Sequence, residues 1–119
     1  MGINVIIVAS EAAPFAKTGG LADVAGSLPV ALKKLGCDPV LFLPYYRQVA
    51  GGGFDIEPAG LEVTVPVGKR EITGQVLKGA TAGVPVYFIK RDEYYDRSHL
   101  YGTPDGDYFD NIERYAFFS

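Results

Sequence analysis

One short stretch near the start of the chain combines a cation with two glycines, where a phosphate could bind. Lys17, Gly19 and Gly20 lie in a Lys-Thr-Gly-Gly-Leu run between an apolar segment and an amphipathic one. Adjacent glycines let a ligand approach the backbone, and the first N–H groups of a helix lack intrahelical partners. The helix dipole and a lysine would both favour an anion. This predicts a phosphate or diphosphate site, unless the glycines only turn the chain and Lys17 is solvated.

Three further side chains are candidates for the same site, and each has a plain structural alternative. Asp23 falls in the first turn of the following segment, where an acid either contacts the ligand or complements a helix dipole. Glu11 follows the first apolar run and either faces the ligand or is a solvated or loop-bracing carboxylate. Tyr101 could stack on a ligand, although packing is the commoner role of an aromatic ring.

Several familiar functional patterns are absent from the sequence. Neither G-x-x-x-x-G-K-[ST] nor a G-x-G-x-x-G after the first apolar run occurs, which argues against a P-loop NTPase and a dinucleotide-dependent dehydrogenase. His99 is the single histidine and Cys37 the single cysteine, and we interpret them as an exposed bystander and a structural residue. No residues have metal-ligand spacing, so we expect neither a metal nor another cofactor.

A strand, a loop and a helix must hold the candidate site in place. Residues Ile3–Ala9 form a nearly unbroken β-branched run, typical of a strand covered on both faces. Apolar residues from Leu21 to Leu35 recur at helical spacing, and Pro29 is expected to kink this helix or divide it in two. A second buried strand at Pro39–Leu43 completes a βαβ unit. Open α/β sheets bind ligands at the carboxyl ends of such strands.

The rest of the chain predicts more strands and a final helix. Leu61–Val65 and Ile72–Leu77 flank a turn and predict a hairpin with one solvent-exposed face. Val84–Ile89 predicts another buried strand, and Asp110–Ser119 predicts a helix. Residues 45–60, with three consecutive glycines, are expected to be irregular. The predicted class is α/β, with a Rossmann-like, mostly parallel sheet and a β-hairpin insertion.

Length and composition limit the kind of protein. The chain has 119 residues, 11 basic and 14 acidic side chains and a formal net charge of −3, without the basic stripe of a nucleic-acid binder. We expect one domain at most. No apolar run reaches the roughly 18 residues of a membrane span, and no basic segment precedes the first one as in a signal peptide. A lone cysteine favours a reducing compartment, so we expect a cytoplasmic protein with neither nucleic acid nor membrane as partner.

Two blocks of sequence carry a family resemblance. The first contains Ser10-Glu11, Pro14, Lys17-Thr18-Gly19-Gly20-Leu21-Ala22-Asp23-Val24 and Gly26-Ser27-Leu28-Pro29. The second contains Asp96-Arg97, Leu100-Tyr101-Gly102, Asp110-Asn111 and Glu113-Arg114-Tyr115-Ala116-Phe117-Phe118. Together they resemble bacterial glycogen synthases and plant starch synthases, the ADP-glucose-dependent glucosyltransferases. The similarity spans nearly the whole chain, and the glycine-rich middle is its least distinctive part.

The resemblance implies a GT-B architecture, in which two Rossmann-like domains face each other across a cleft. Residues 1–119 would then be a single partial domain, the front portion of the N-terminal one, truncated at its C-terminal end. The implied reaction transfers glucose from ADP-glucose to the non-reducing end of an α-1,4-glucan, glycogen or starch, with retention of configuration. By motif position, Lys17 would contact the diphosphate, and Gly19 and Gly20 would form the loop that approaches it. In such a site Asp23 would contact the nucleotide, Glu11 would face the sugar or acceptor, and Tyr101 would stack on a sugar or base.

The same resemblance implies that this segment is incomplete as an enzyme. The family's second domain, with a further lysine and glutamate used in catalysis, lies outside the chain, as does a later histidine. We therefore expect no synthase activity and only weak ADP-glucose binding from these residues alone, and unpaired strand edges would favour self-association. Two other classes stay open. One is a stand-alone, non-catalytic α/β module that binds a phosphate-bearing ligand or a glucan, and the other is a flavodoxin-like or receiver-like interaction domain, which the single Glu11 after the first strand disfavours.

Overall fold

A five-stranded mixed sheet forms the centre of the computed structural model, which describes residues 2–119. The strands are β1 (Asn4–Val8), β2 (Asp38–Pro44), β3 (Glu57–Val67), β4 (Arg70–Thr81) and β5 (Val84–Lys90), in the spatial order β1-β2-β5-β4-β3. The helices are α1 (Gly20–Lys34), α2 (Arg47–Ala50), α3 (Asp92–Tyr95) and α4 (Asn111–Phe118), and β6 (Gly102–Thr103) pairs with β7 (Gly106–Asp107) as a separate ribbon. The predicted α/β class is confirmed.

Three parallel strands form the half of the sheet that carries the predicted βαβ unit. β1 pairs with β2 and β2 pairs with β5, both in parallel, and α1 packs against β2 and β5. The inward side chains of the two central strands, among them Leu41, Leu43, Val86 and Phe88, are fully buried. These side chains share one buried core with Ala25 of α1, whereas Phe42 on the other face of β2 is only partly buried.

The predicted hairpin continues the same sheet rather than forming a separate layer. β3 and β4 pair antiparallel through a two-residue loop in which Gly68 has a φ of 63°, a conformation that suits glycine. β4 then pairs antiparallel with β5. Both strands are longer than predicted, and β3 together with α2 occupies part of residues 45–60, so the expectation of an irregular segment there is wrong in part.

Helix α1 is continuous, but the face it packs matches the predicted one only in part. It runs through Pro29 without division into two short helices, so that alternative is wrong. The buried residues are Ala22, Ala25 and Pro29, of which only Ala25 belongs to the predicted apolar stripe. The large members of that stripe are exposed, namely Leu21, Val24, Leu28 and Leu35. Small side chains let the helix approach the preceding loop closely, since a Cβ on Gly26 would lie 2.4 Å from the carbonyl oxygen of Ala13.

Strand β1 is covered on one face only, which corrects the expectation of two. Ile6 and Val8 are 68% and 54% exposed. With Phe42, Val65 and Phe117 they line an open apolar groove of about 360 Å³ on the sheet face opposite α1. An unbroken β-branched run therefore identified the strand correctly, but it could not show how much of each face is covered.

No helix within residues 2–119 combines the length and the apolar character that crossing a bilayer requires.

Candidate functional site

The segment that joins β1 to α1 is folded tightly against the start of the helix. The backbone N–H of Ala12 donates to the carbonyl of Ala16 at 3.0 Å, and the N–H of Ala16 donates back to Ala12 at 2.9 Å. The N–H of Ala13 donates to the carbonyl of Ala22 in the first turn of α1 at 2.9 Å. These bonds fix the position of residues 17–20, which we call the glycine loop, at the carboxyl end of β1.

Glu11 lies beneath the glycine loop as its anchor. Its side chain is 2% exposed, and its Oε1 accepts the backbone N–H groups of Thr18 and Gly19 at 3.2 and 3.1 Å. Its Oε2 accepts the hydroxyl groups of Thr18 and Tyr101, each at 2.6 Å. Burial raises the pKa of Glu11, but these hydrogen bonds outweigh it and leave the pKa below its usual value. The carboxylate therefore stays ionised at neutral pH.

The outer side of the glycine loop differs from what the sequence predicts in one respect. The sequence predicts free N–H groups at the helix start, whereas the N–H of Gly19, the residue before α1, donates to Glu11. Within residues 2–119 the N–H groups of Gly20 and Leu21, at the first turn of α1, have no hydrogen-bond partner. A Cβ built on Gly19 or Gly20 would meet no atom within 4 Å. The chain's own packing therefore does not require glycine at either position, and the space above them is open.

Lys17 and Asp23 form an ion pair on this outer side. The Nζ of Lys17 lies 2.7 Å from the Oδ1 of Asp23, and the two side chains are 53% and 58% exposed. An exposed pair of this kind contributes about 0.2–1 kcal/mol, so it can open at little cost. Asp23 thus neutralises Lys17 in the described structure in addition to its place in the first turn of the helix.

Tyr101 is brought to the inner side of the site through its hydroxyl group. Because that hydroxyl donates to Glu11, the 2.8 Å contact with the Oγ of Ser10 has serine as the donor. Burial and then the bond to Glu11 raise the pKa of Tyr101, so it stays protonated. The Tyr46 hydroxyl donates to the carbonyl of Ser10 at 2.5 Å, and the ring of Tyr115 lies 5.8 Å from that of Tyr101.

A second polar cluster lies around Arg114, and the sequence alone did not reveal its role. Its guanidinium is fully buried, with Nε donating to the carbonyl of Tyr94 at 2.6 Å and Nη1 to Oδ1 of Asn111 at 2.7 Å. The rings of Tyr95, Tyr108 and Tyr115 lie 5.0–5.7 Å from it. We call Arg114 and these three rings the arginine–tyrosine cluster. The spacing Asp-Asn-x-x-Arg in α4 is the only trace of it in the sequence.

The structure therefore separates the predicted site residues into two groups. Lys17, Gly20 and Asp23 face outward at the start of α1, whereas Glu11 and Tyr101 hold the loop from within. His99 is exposed beside Ser98, Cys37 is a free thiol, and no group of three or more potential metal ligands occurs within residues 2–119. The outward-facing residues are suited to hold an anion by hydrogen bonds and charge, because they present free N–H groups and a cation at a helix N-terminus.

Comparison with known proteins connects this arrangement to one family. Residues 4–119 match the family described as starch synthase catalytic domain. The chain is 47% identical to a glycogen synthase of Syntrophotalea carbinolica and 45% identical to one of Geotalea daltonii, in each case over 98% of this chain and 24% of the relative. It therefore spans about a quarter of the length of these relatives.

A solved structure supports the same relationship. The catalytic domain of starch synthase IV from Arabidopsis thaliana, bound to ADP and acarbose, superposes with a TM-score of 0.79 at 26% identity, covering 99% of this chain and 24% of that one. The expected likeness in fold is confirmed over the length of this chain. With the family match over residues 4–119, these findings show that the chain belongs to the family of starch synthase catalytic domains.

Proposed function

We propose that this chain provides the diphosphate-binding loop of an ADP-glucose-dependent glucosyltransferase that extends an α-1,4-glucan with retention of configuration. The observation that carries the proposal is the outer side of the glycine loop, where Gly20 and Leu21 present free N–H groups beside Lys17. The starch synthase domain that the chain resembles was solved with ADP and acarbose, which supports a nucleoside diphosphate and a glucan-like ligand.

The chemistry of glucosyl transfer explains why such a loop is useful. As the bond between glucose and the diphosphate breaks, negative charge grows on the departing ADP. Donors and cations fixed at that position stabilise the transition state more than the ground state. Lys17 reaches the diphosphate by leaving Asp23, and the exposure of that ion pair keeps the cost of the exchange low.

The individual residues take different roles in this proposal. Lys17 and Gly20 contact the diphosphate, and Gly19 leaves space for its approach. Asp23 borders the nucleotide and holds Lys17 when no anion is bound. Tyr101 lies on the inner side, where its half-exposed ring could line the sugar-binding region while its hydroxyl holds Glu11. The position of Glu11 under the loop favours bracing over direct contact with sugar or acceptor.

We also propose that residues 1–119 are the front portion of the N-terminal domain of a GT-B enzyme. The chain spans about a quarter of its curated relatives, and it leaves apolar surface uncovered on β1 and α1. Such surface favours packing against further segments or, in the isolated chain, self-association through unpaired strand edges.

The reaction would take place in the cytoplasm without a metal or other cofactor, and the lone Cys37 agrees with a reducing compartment.

A titration of ADP tests the proposed diphosphate contact. Wild type should bind ADP weakly but saturably by calorimetry, and Lys17→Ala should weaken binding at least about tenfold, the loss expected for one charge-assisted hydrogen bond. Lys34→Ala is the matched control, because it removes an exposed lysine from the opposite end of α1. Equal ADP affinities in wild type and Lys17→Ala would contradict the proposal.

An activity assay tests the proposed incompleteness. The purified 119-residue chain should transfer no glucose from ADP-glucose to maltooligosaccharides, because the proposed second domain with its catalytic residues is absent. Robust elongation of the glucan by this chain alone would overturn that part of the proposal.

A further inference from the structure

We infer that Glu11 is a positioning residue that sets the ligand-facing side of the glycine loop, an inference that rests on the proposed function. Its buried carboxylate takes the N–H groups of Thr18 and Gly19 to the inner side of the loop. The next two N–H groups, of Gly20 and Leu21, are thereby left to point outward from the start of α1 beside Lys17.

The donor set around Glu11 suits a carboxylate. Two N–H groups converge on Oε1 and two hydroxyl groups converge on Oε2. An ionised carboxylate accepts all four bonds at once and carries the charge that strengthens them, whereas a glutamine at position 11 is neutral and its N–H₂ group would force the hydroxyl groups of Thr18 and Tyr101 to become acceptors. Successive backbone N–H groups that surround an anion form a recognised concave nest. In this loop the carboxylate of Glu11 occupies the nest formed by the N–H groups of Thr18 and Gly19.

This geometry separates positioning from direct contact with substrate. Glu11 is 2% exposed, and both of its oxygens already accept hydrogen bonds from within the chain. A carboxylate near a bound diphosphate would also repel it, so its negative charge can help an anion site only by holding the loop in shape. Its influence on ligand binding therefore passes through Thr18 and Gly19.

Tyr101 and Ser10 link the position of Glu11 to a distant part of the chain through hydrogen bonds. Tyr101 lies 90 positions after Glu11 and donates to it, while Ser10 donates to Tyr101. The Tyr46 hydroxyl in turn holds the carbonyl of Ser10. The glycine loop is thus fixed by groups that arrive from three separate segments, which makes its shape a property of the folded chain rather than of its local sequence.

The test measures ADP affinity and amide hydrogen exchange in four variants and wild type. Glu11→Gln and Thr18→Val should each bind ADP more weakly, by about tenfold and at least about threefold, because they disturb the bonds that shape the loop. Thr18→Ser keeps the hydroxyl donor and should restore affinity to within about twofold of wild type. Exchange at the Gly19 amide should be slow in wild type and faster in Glu11→Gln.

Tyr95→Phe is the matched control for loss of a buried hydrogen bond. Its hydroxyl donates to the carbonyl of Arg114 at 2.8 Å, away from the loop, so the variant loses stability without a change at Glu11. Its ADP affinity should equal that of wild type. All variants are compared at a temperature where circular dichroism shows them folded, and the Thr18 pair decides the outcome if Glu11→Gln does not fold.

The outcomes separate this inference from the proposed function. Wild-type or tighter ADP affinity in Glu11→Gln or in Thr18→Val, together with weak binding by Lys17→Ala, would overturn the positioning role and leave the diphosphate site in place. Equal weakening by Thr18→Ser and Thr18→Val would also overturn it. An absence of saturable ADP binding by wild type would overturn the proposed function, and this inference with it.

Discussion

The outer side of the glycine loop and the arginine–tyrosine cluster both gather polar groups, yet they are built in opposite ways. At the loop, Lys17 and Asp23 are more than half exposed and share one ion pair. In the cluster, Arg114 is fully buried and its guanidinium is held by carbonyl, amide and aromatic groups of the same chain. The two regions differ in how accessible their polar groups are. The ion pair at the loop stays accessible to an anion, whereas Arg114 is enclosed by the fold and only its Nη2 has no hydrogen-bond partner within the described residues.

Removal of the buried Arg114 guanidinium should cost the most stability. Arg114→Ala should lower the free energy of unfolding by at least about 3 kcal/mol, because it removes two charged hydrogen bonds at about 1.5 kcal/mol each together with contacts to three rings. Arg70→Ala is the control, since its guanidinium is exposed and lies 3.7 Å from Glu113. Urea unfolding of both variants measures the difference. A loss below about 1 kcal/mol in Arg114→Ala would show that the cluster contributes little to the free energy of unfolding.

The next largest change should be the decrease of the free energy of unfolding as the pH falls. The pKa of Glu11 is lowered because its hydrogen bonds outweigh burial, and the pKa of Asp110 is lowered chiefly by its bond to Arg97. A lowered folded-state pKa contributes stability that is present above the unfolded value, about 4 for these acids, and lost as pH falls through the folded value. Urea unfolding from pH 7 to pH 3 should show this decline, with a shallower slope in Asp110→Asn. An unchanged slope would contradict the role of that carboxylate.

Two glycines in the same region should respond differently to an added methyl group. Gly26→Ala should lower the free energy of unfolding by about 1–3 kcal/mol, since its Cβ would lie 2.4 Å from the carbonyl oxygen of Ala13. Gly20→Ala should be neutral or stabilise by up to about 1 kcal/mol, because the space there is open and alanine favours a helix. Only the second variant should weaken ADP binding. Equal effects of both on stability would show that Gly20 is structural.

Loss of the exposed ion pair should change stability least. Lys17→Ala and Asp23→Asn should each change the free energy of unfolding by less than about 1 kcal/mol. Their effects on ADP binding should have opposite signs, because removal of the Asp23 charge frees Lys17 for the anion. Calorimetry should therefore show several-fold tighter binding in Asp23→Asn. Weaker binding in that variant would indicate that Asp23 supports the nucleotide directly.

Much of the fold could be predicted because its elements depend on local patterns. The β-branched run at the start, the helical spacing after it and the alternation at Leu61–Val65 each specified an element that the structure contains. The packed face of α1 could not be predicted from apolar spacing. Ala22, Ala25 and Gly26 allow close approach to the loop, and their contacts involve backbone that only the tertiary fold places there.

The place of the glycine loop in the fold could be predicted, but its hydrogen bonding could not. The order strand, Lys-Thr-Gly-Gly and helix located the glycine loop, because the carboxyl end of a parallel strand is a recurrent ligand position. The capture of the Gly19 N–H by Glu11 depends on the loop folding back over a side chain eight residues earlier. The donation from Tyr101 depends on a segment 90 residues later. Such pairings follow from tertiary structure, so no spacing rule could reveal them.

An NMR titration with ADP can locate the anion site residue by residue. We expect the amide resonances of Gly20 and Leu21 to shift saturably as ADP is added, while those of the buried Arg114 and its hydrogen-bond partner Asn111 stay in place. Lys17→Ala should reduce the shifts at Gly20 and Leu21 at equal ADP concentration. Saturable shifts centred on residues 111–115, or an unchanged Gly20 resonance at saturating ADP, would contradict the claim that the outer side of the glycine loop binds the diphosphate.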